Sequence, residues 1–584
     1  MKRLSFLAAI NASGGLQRQV SAVALRNELR PANISPGIVL FLNDSDRCLR
    51  IGQGGVVMGT LFDRRDGDRH VQRLGEGDAA ASRSSAGMHL IRNFWGSYLA
   101  ITSTEKNTTV LRDPSGGIAC YYACKAGTII FSSDARMIFQ TGLMPPAVDM
   151  GIVGHALYFP QLPLKETALE GVHHLLPGFA VTFENGEATE HQYWCPWDYI
   201  APSAASRTMV EGLREVVRST HRAWGRCFKN VVVGLSGGLD SSIVATCLAQ
   251  SGTAVSCVTA VTADPTGDER TFARAVAEKI GAELLESHHL ADAIELDRSV
   301  AEAVPFPCGK AHEQAYNNIV RRAVDHFGAD ALFVGAGGDN VFYLTHSARP
   351  LVDRFNTEGW SRGTFTTLHD ICSITGASVW QVVFEAVRLS RLQNSRADWK
   401  TVSDFLTSSF VEREQETPPR HPWLSPNADA PLSKIGHVTM LLRAFNHVEH
   451  RDKTMRVPMI SSLLSQPIVE YCLGIPPWEA CEGGVDRSVA RRAFAQDLPI
   501  AVTARSGKGS PDGFVGHYID THRTEIFERL MDGTLANSGL VDRTQLELAL
   551  RADAKLRPAD CPRLMALLDT EAWIHHWSNF HSKG

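Results

Sequence analysis

The sequence lacks the features that mark several common classes of protein. Its twelve cysteines form no CxxC pair and no regular framework, which favours reduced thiols over a disulfide-stapled secreted domain. Lys and Arg total 58 against 63 Asp and Glu, and the net charge of −5 offers no basic surface for nucleic acid. No apolar run approaches the roughly 20 residues that span a bilayer, and residues 4–10 make a poor signal peptide. We expect a cytoplasmic protein with no membrane span and no nucleic-acid partner.

The length and the turn pattern predict two domains. A chain of 584 residues is too long for one ordinary core. Its first 200 residues or so read as short strands between Gly, Asn and Asp turns, at 38–42, 56–61, 98–101, 129–131 and 180–183. The small and polar stretch 203–206 is typical of a linker. We therefore place a β-rich domain at 1–205 and a second domain at 206–584.

The second domain alternates apolar strands with amphipathic helices. Strands are predicted at 231–235, 255–261 and 331–334, with helices at 241–250 and 271–280. Such alternation is typical of a parallel sheet. From about residue 350 onward the pattern is mostly helical, which predicts a helical C-terminal part.

One loop in the second domain has the composition of a phosphate-binding turn. The predicted strand ends at Leu235 and is followed by Ser236-Gly237-Gly238, where missing side chains let backbone N–H groups approach an anion. The helix that begins near Ser241 adds its positive end, and the hydroxyls of Ser236, Ser241 and Ser242 are further donors. The carboxylate of Asp240 needs a cation beside a phosphate, so Asp240 is predicted to be a magnesium ligand.

This loop is neither of the familiar nucleotide loops. GxxxxGK[ST] is absent, and no GxGxxG opens a strand-to-helix turn. Gly507-Lys508-Gly509 imitates the first pattern, but Val502 stands where its leading Gly belongs and Gly509 where Ser or Thr belongs. The alternative interpretation of 236–242 is an ordinary glycine-rich turn before a helix. Two glycines, one aspartate and three serines after a β-branched strand favour function.

These residues resemble the pyrophosphatase-type loop of the asparagine synthetase superfamily, which holds the pyrophosphate of ATP. The resemblance extends over nearly the whole chain. In the second domain it includes Asp268-Glu269, Ala273, Ala277, Gly335-Ala336-Gly337-Gly338-Asp339, Arg487 to Arg492, Leu498-Pro499 and Arg505-Ser506-Gly507-Lys508. In the first it includes Phe94-Trp95-Gly96-Ser97-Tyr98, Arg112-Asp113-Pro114-Ser115-Gly116 and Leu176-Pro177-Gly178, which resemble segments of the family's glutaminase domain.

The resemblance implies a fold and a site. The fold is an α+β N-terminal glutaminase-like (Ntn-type) sandwich followed by an α/β pyrophosphatase-loop synthetase domain. Asp240 and Asp339 are implied to hold magnesium on the pyrophosphate, and Lys508 to lie near the α-phosphate. The implied ATP-binding residues are Leu235, Ser236, Gly237, Gly238, Asp240, Ser241, Ser242, Val261, Gly335 and Gly337, of which Leu235, Val261 and Gly335 would line the adenosine.

The sequence departs from the family's pattern in three places. Glutamine-using members begin with a cysteine nucleophile, but this chain reads Met1-Lys2-Arg3-Leu4 and has no cysteine before Cys48. We therefore expect an inactive glutaminase-like domain. Ala336 stands where asparagine synthetases carry Glu and β-lactam synthetases carry Tyr, and Asn340 stands where a Glu commonly follows the Asp. Alanine performs no acid-base chemistry, so asparagine synthesis is disfavoured.

The base that takes the proton from the attacking amine is left open. It is a side chain, a water or the substrate's own phosphate. His312 and Glu449 are candidates by residue type. Their spacing does not resemble a zinc site, and we interpret each as a structural or surface polar group.

The changed positions, together with Gly337 to Phe342, are similar to the lasso peptide cyclases, and 455–459, 469–470 and 475–476 also resemble these enzymes. The resemblance implies that ATP and Mg²⁺ adenylate an Asp or Glu side chain of a ribosomal precursor peptide. The peptide's own N-terminal amine then closes a macrolactam and releases AMP. A leader-removing peptidase is the implied partner. The alternatives are a small-molecule amide or β-lactam synthetase, an asparagine synthetase using free ammonia, and a nucleotide-binding scaffold without chemistry.

Overall fold

A computed structural model describes residues 2–35, 37–184, 186–200, 206–262, 267–391, 399–427, 429–446, 455–505, 507, 509 and 511–580. Within these ranges, no helix is long and apolar enough to cross a bilayer. The cysteines that the structure describes are free thiols, as the sequence predicts. The predicted boundary near residue 205 lies outside the described residues and stays a prediction.

Two antiparallel sheets build the first part of the chain. Their strands are β1 (Phe6–Ile10), β2 (Arg30–Ser35), β3 (Ile38–Leu42), β4 (Cys48–Arg50), β5 (Gly55–Asp63), β6 (Arg69–His70), β7 (Phe94–Ser103), β8 (Asn107–Arg112), β9 (Tyr121–Lys125), β10 (Thr128–Ser132), β11 (Val172–His174), β12 (Phe179–Glu184) and β13 (Glu187–Gln192). One sheet has the order β11-β9-β10-β1-β3-β2, the other β13-β12-β8-β7-β5-β4, and β6 pairs with β5. Buried side chains of both sheets belong to one core.

Five helices accompany these sheets. They are α1 (Gly14–Arg26), α2 (Glu76–Ser84), α3 (Met88–Asn93), α4 (Ala135–Gln140) and α5 (Met150–Tyr158). The predicted strand 38–42 is confirmed, and the other four predicted strands are confirmed with longer bounds. The apolar run at 4–10 is largely β1, a central strand whose five residues are all buried.

The second part is built on a parallel sheet, which confirms the predicted α/β class. Its strands are β14 (Asn230–Gly234), β15 (Ala254–Val261), β16 (Glu283–His288), β17 (Ala331–Val334) and β18 (Met459–Ile460), in the order β16-β15-β14-β17-β18. Gly234, the last residue of β14, lies in register with Val258 on one side and Val334 on the other. Because parallel strands end at one edge, the loops after β14, β15, β16 and β17 meet there.

Helices cover this sheet, and the described residues beyond about 350 are mostly helical, as predicted. They are α6 (Ser206–Gly225), α7 (Leu239–Gln250), α8 (Arg270–Ile280), α9 (Glu313–Phe327), α10 (Gly338–Val341), α11 (Arg349–Glu358), α12 (Arg362–Thr375), α13 (Val379–Arg391), α14 (Ser408–Gln415), α15 (Leu432–Phe445), α16 (Gln466–Gly474), α17 (Ser488–Phe494), α18 (Ile500–Thr503), α19 (Asp512–Thr521), α20 (Arg523–Met531), α21 (Thr534–Asn537), α22 (Arg543–Leu550) and α23 (Asp560–Ser578).

The two parts of the chain dock through buried polar contacts. Glu470 on α16 accepts a hydrogen bond from Arg64 at 2.7 Å and another from the indole of Trp194 at 2.9 Å. The indole N–H of Trp197 donates to the carbonyl of Trp423 at 3.0 Å. Polar groups left unpaired in such an interface are costly, so these contacts define how the two parts fit together.

Candidate functional site

The loop after β14 is shaped by close packing around its glycines. Gly237 has φ +67°, and a Cβ there would lie 2.4 Å from the Cβ of Phe272, so no side chain fits. Gly238 precedes the first turn of α7, and a Cβ on Gly238 would lie 3.3 Å from the hydroxyl oxygen of Ser236. The loop therefore brings backbone to the N-terminal end of α7, where an anion is stabilised by N–H groups and the helix dipole.

The serine hydroxyls of this loop hold its shape. The hydroxyls of Ser236 and Ser241 lie 3.2 Å apart, and the Ser236 N–H donates to Ser241 Oγ at 3.3 Å. Ser242 is fully buried and donates to the carbonyl of Gly238 at 2.7 Å. Ser236 and Ser241 remain beside the cavity described below, whereas Ser242 supports the loop from behind.

A second loop, between β17 and α10, packs directly against the first. A Cβ on Gly335 would lie 2.6 Å from the backbone N of Ser241, so only glycine permits the approach. Gly337 has φ +87°, and a Cβ on it would lie 2.5 Å from Leu464. Asn340 donates to the carbonyl of Met440 at 2.6 Å and ties α10 to α15. Asp339 is thereby presented in the first turn of α10, close to Asp240.

Arg487 joins the two aspartates. Its Nη1 donates to Asp240 Oδ2 at 3.1 Å and makes a short hydrogen bond to Asp339, while its Nε donates to Asp486 at 2.8 Å. Although burial opposes it, the surrounding carboxylates raise the pKa of Arg487 above its usual range. Two carboxylates from separate loops thus converge on one cationic nitrogen.

This convergence fits a magnesium site shared with phosphates. Mg²⁺ is usually held by one or two carboxylates plus substrate phosphates, rather than by an all-protein cage. No group of three or more His, Cys, Asp or Glu side chains within the described residues is arranged to hold a metal alone. Asp240 and Asp339 would supply two oxygen ligands, and the guanidinium of Arg487 lies where these carboxylates stabilise positive charge.

Both loops open onto a cavity of about 770 Å³ at the carboxyl edge of the parallel sheet. This volume lies within the usual range for small-molecule and cofactor sites. Most of the predicted site residues lie on its wall: Leu235, Ser236, Gly238, Asp240, Ser241, Gly335 and Asp339. Gly237 and Gly337 are not on the wall, since they form the tight turns behind it.

The structure does not place Val261 on the cavity wall, where the predicted role in lining the adenosine requires it to lie. Val261 is 1% exposed and lies off the cavity wall, whereas Ala260 and Thr262 are on it. Side chains alternate between the two faces of a strand, so a slip of one residue exchanges the two faces. The neighbours of Val261 are therefore the better candidates.

Lys508 lies outside the described residues, and its predicted role stays a prediction. Its neighbours Gly507 and Gly509 are on the cavity wall. Glu269 anchors this segment, since one of its oxygens accepts from Arg505 at 2.6 Å and from the Gly509 N–H at 3.0 Å. Glu269, which belongs to a segment that resembles the family's pattern, thus has a structural role in holding Arg505 and Gly509.

Two arginines of the site were not assigned a role from the sequence. Arg487 holds the aspartates, and Arg491 donates to the carbonyls of Thr503 at 2.7 Å and Arg505 at 3.0 Å. Both lie in segment 487–492 and both line the cavity, but only the fold reveals that Arg487 joins the two aspartates and that Arg491 also braces the segment at 503–505. The repetition of arginine within this segment was the sequence signal that could have indicated these roles.

Two histidines lie on the cavity wall, and only one of them, His312, was considered as a candidate from the sequence. His312 lies on the cavity wall beside α9, and His289 lies on the wall after β16. Burial, with Lys310 and His289 nearby, lowers the pKa of His312 to about 4, and burial also lowers the pKa of His289. Both imidazoles are therefore neutral at neutral pH. Glu449, the other candidate, lies outside the described residues.

Comparison with known families now assigns the chain. A model of asparagine synthase matches residues 212–576. The chain belongs to the asparagine synthase family. A model of a glutamine amidotransferase domain also matches, over residues 80–194, in the first part of this family member. The chain thus combines a glutamine amidotransferase domain with an ATP-dependent ligase domain that forms amide bonds.

Other comparisons add little to this assignment. A structure of the allosteric regulatory enzyme of purine biosynthesis is 10% identical, covers 49% of this chain and 80% of its own, and has a TM-score of 0.22. Glutamine phosphoribosylpyrophosphate amidotransferase from B. subtilis, complexed with ADP and GMP, is 8% identical, covers 57% of this chain and 91% of its own, and has a TM-score of 0.23. Scores this low support no inference. No curated protein sequence matches the chain.

Proposed function

We propose that this asparagine synthase family member is a lasso peptide cyclase. It adenylates an Asp or Glu side chain of a leader-trimmed ribosomal precursor peptide. The peptide's N-terminal amine then attacks, and a macrolactam forms with release of AMP and pyrophosphate. A leader-removing peptidase is the expected partner in the same process.

The observation that carries this proposal is the wall of the cavity beside Asp339. Ala336 is exposed there, in a cavity that also contains both aspartates. A methyl group neither donates nor accepts a proton, so this position lacks the side chain that asparagine and β-lactam synthetases use. It leaves room beside the reacting carboxylate for a bulkier acceptor such as a folded peptide.

Three of the four thiols of the first part support a substrate-borne amine over ammonia from glutamine. Burial raises the pKa of Cys48 and of Cys124 to about 11, and burial also raises the pKa of Cys195. A thiol attacks as the thiolate, so these three are poor nucleophiles at neutral pH. The amine is then supplied by the peptide itself.

The protein's own groups account for the first step. A peptide carboxylate oxygen bonds to the α-phosphorus, the bond to the β-phosphate breaks, and pyrophosphate leaves. The loop after β14 and the end of α7 bind the departing phosphates, and Arg487 is placed to neutralise them. Asp240 and Asp339 would hold Mg²⁺, which supplies charge stabilisation on the phosphates when bound.

In the second step the amine nitrogen bonds to the acyl carbon, AMP leaves, and the nitrogen releases one proton. An imidazole whose pKa is about 4 accepts a proton poorly at neutral pH, so His312 is a weak candidate for this base. A water or the phosphate of the departing AMP takes the proton in the simplest scheme. Ring closure within one molecule gains a large effective concentration if the cavity holds the peptide in a folded shape.

The proposal is tested with a trimmed precursor peptide, ATP and Mg²⁺. The expected product is lighter than the peptide by one water, and AMP forms in equal amount. Formation of ADP instead of AMP contradicts adenylation. An untrimmed peptide, whose amine is distant from the ring-forming carboxylate, is the matched control and is expected to give no cyclic product.

A small-molecule amide or β-lactam synthetase is the nearest rival function. Exchange of labelled pyrophosphate into ATP separates the two, because exchange requires the carboxylate substrate to be adenylated reversibly. Stimulation by a trimmed peptide supports the cyclase. Stimulation by a free amino acid, with none by the peptide, supports the rival.

A further inference from the structure

Helices α11, α12 and α13 pack on one another and carry an unusual amount of exposed aromatic surface. Trp380 is 81% exposed, Trp360 77% and Phe384 72%. Phe365 and Phe355 are exposed as well. The most exposed tryptophan and phenylalanine side chains among the described residues all belong to this unit. We call these five side chains the aromatic face.

Three rings of the aromatic face contact one another. The rings of Phe355 and Trp360 have centroids 4.9 Å apart, and those of Trp360 and Phe365 are stacked at 5.8 Å. On α13, Trp380 and Phe384 are one helical turn apart and form a stripe, while the other side of the helix buries Val382 and Leu389. A helix that is apolar on both sides ordinarily has both sides covered.

The size of the aromatic face matches a protein interface. An aromatic side chain offers about 150–250 Å², so at the observed exposures the five together present on the order of 600 Å². A standard interface buries about 800 Å² on each partner, and the largest apolar patch on a typical monomer is about 300–600 Å². The area that these five side chains expose together is close to what one side of a standard interface buries.

The exposed charges that these three helices leave unpaired are basic. Arg354 pairs with Glu358 at 3.1 Å, and Arg388 pairs with Glu385 at 2.6 Å, each within its own helix. The other two acidic residues of the three helices, Asp353 and Asp370, are buried. Each acidic side chain that these helices expose is therefore paired with an arginine. Two further exposed arginines, at 362 and 391, form no ion pair with any described residue.

This local excess of positive charge is opposite in sign to the whole chain, whose net charge is −5. Two copies meeting through the face would bring Arg362 and Arg391 of both copies together, and like charges at an interface are unfavourable. Trp, Phe and Arg are the side chains enriched at interfaces with other proteins. The partner that complements the face is apolar and acidic.

We propose that the aromatic face is a docking site for an acidic amphipathic helix of a separate protein. The stripe of Trp380, Phe384 and Val387 has helical spacing, so its side chains form a ridge that can pack into a groove on the surface of a second helix. Acidic side chains flanking the partner's apolar stripe pair with Arg362 and Arg391. This interaction is independent of the adenylation chemistry.

The test uses two labelled synthetic helices with the same leucine stripe, one flanked by glutamate and one by lysine. Binding to the full-length protein is measured by fluorescence anisotropy. The acidic helix is expected to bind with micromolar affinity and the basic helix at least about tenfold more weakly. The double variant W380A/F384A is expected to weaken the acidic helix by about 30-fold or more. L548A, which truncates an exposed leucine on α22, is the matched control and binds as wild type.

Three outcomes overturn the proposal. One is equal binding of the two helices, or no binding of the acidic one. Another is a dimer in sedimentation that W380A/F384A converts to monomer, which makes a second copy the occupant. The third is binding to phosphatidylserine vesicles that is lost in the same variant, which makes a lipid surface the occupant. Unchanged thermal unfolding of W380A/F384A shows that the variant is folded.

Discussion

Two aspartates, one from each part of the chain, both lie in segments that resemble the family's pattern, but their surroundings differ. Asp113 lies in a segment quoted for the glutaminase domain, and Asp240 lies in the phosphate loop. Asp113 is fully buried and accepts from the N–H groups of Tyr98 at 3.1 Å and Ser115 at 2.7 Å. Asp240 lies on the cavity wall and shares Arg487 with the second loop.

The difference lies in where the partners come from. The partners of Asp113 lie within the first part of the fold, so its charge organises a turn. Asp240 meets side chains from distant segments at an open cavity, where a ligand completes the arrangement. Buried charge satisfied by neighbouring residues is structural, whereas charge collected at a cavity from several loops is a candidate for chemistry.

Replacing Asp240 by Asn is expected to have the largest effect on turnover. The amide keeps the volume but loses the charge that we propose holds magnesium on the pyrophosphate, so the proposed cyclisation is expected to fall by about a hundredfold or more. Turnover per folded molecule is measured with trimmed peptide and ATP. Asp113→Asn is the matched control and leaves turnover per folded molecule unchanged. Equal losses of turnover in the two variants would contradict the distinction between Asp240 as a site residue and Asp113 as a structural one.

Glu269→Gln sharpens the comparison within the site. The amide is no longer an anionic acceptor for Arg505, so the segment flanking Lys508 is held less firmly, and kcat falls roughly tenfold with little change in the KM for ATP. Steady-state kinetics separates the two constants.

The neighbouring acid is the control for that variant. Asp268 pairs with the side chain of Arg270 at 2.7 Å, and its described hydrogen bonds all go to Arg270 rather than to the segment that Glu269 anchors. Asp268→Asn is therefore expected to keep wild-type kinetics. A rise in the KM for ATP in Glu269→Gln, with kcat unchanged, would contradict a positioning role.

Asp113→Asn is expected to act on stability alone, and the effect depends on pH. Burial raises the pKa of Asp113 to about 6, above the ordinary value of about 3.9. The folded state therefore holds this proton more tightly, and wild-type stability falls as pH rises between these two values. The shift corresponds to about 3 kcal/mol.

The variant lacks this loss, because an amide does not titrate. Its free energy of unfolding relative to wild type is expected to rise by about 2–3 kcal/mol between about pH 4 and pH 7. Denaturant titration at the two pH values measures it. A relative stability that does not change with pH contradicts the assignment.

Sequence reasoning succeeded where the determining residues are close together in the chain. The phosphate loop carries its glycines, serines and aspartate within seven residues, 236–242, so composition and the preceding strand predict it. The parallel sheet followed from the alternation of strands and helices, and the strand at 38–42 from its β-branched and aromatic residues.

Reasoning from local pattern failed where distant segments meet. Arg487 is 247 residues from Asp240, and no local pattern encodes their contact. The strand Met459–Ile460 has two residues, too few for any periodicity. The helix Gly14–Arg26 begins with two glycines, which are poor helix formers and are typical of turns.

The fate of a carboxylate oxygen tests the central claim most directly. A trimmed peptide is prepared with isotopically labelled oxygen in the ring-forming Asp or Glu side chain, and the products are analysed by mass spectrometry. If the carboxylate is adenylated, one labelled oxygen leaves with each AMP as each ring closes. Label in inorganic phosphate, or a closed ring with none in AMP, contradicts adenylation at this site.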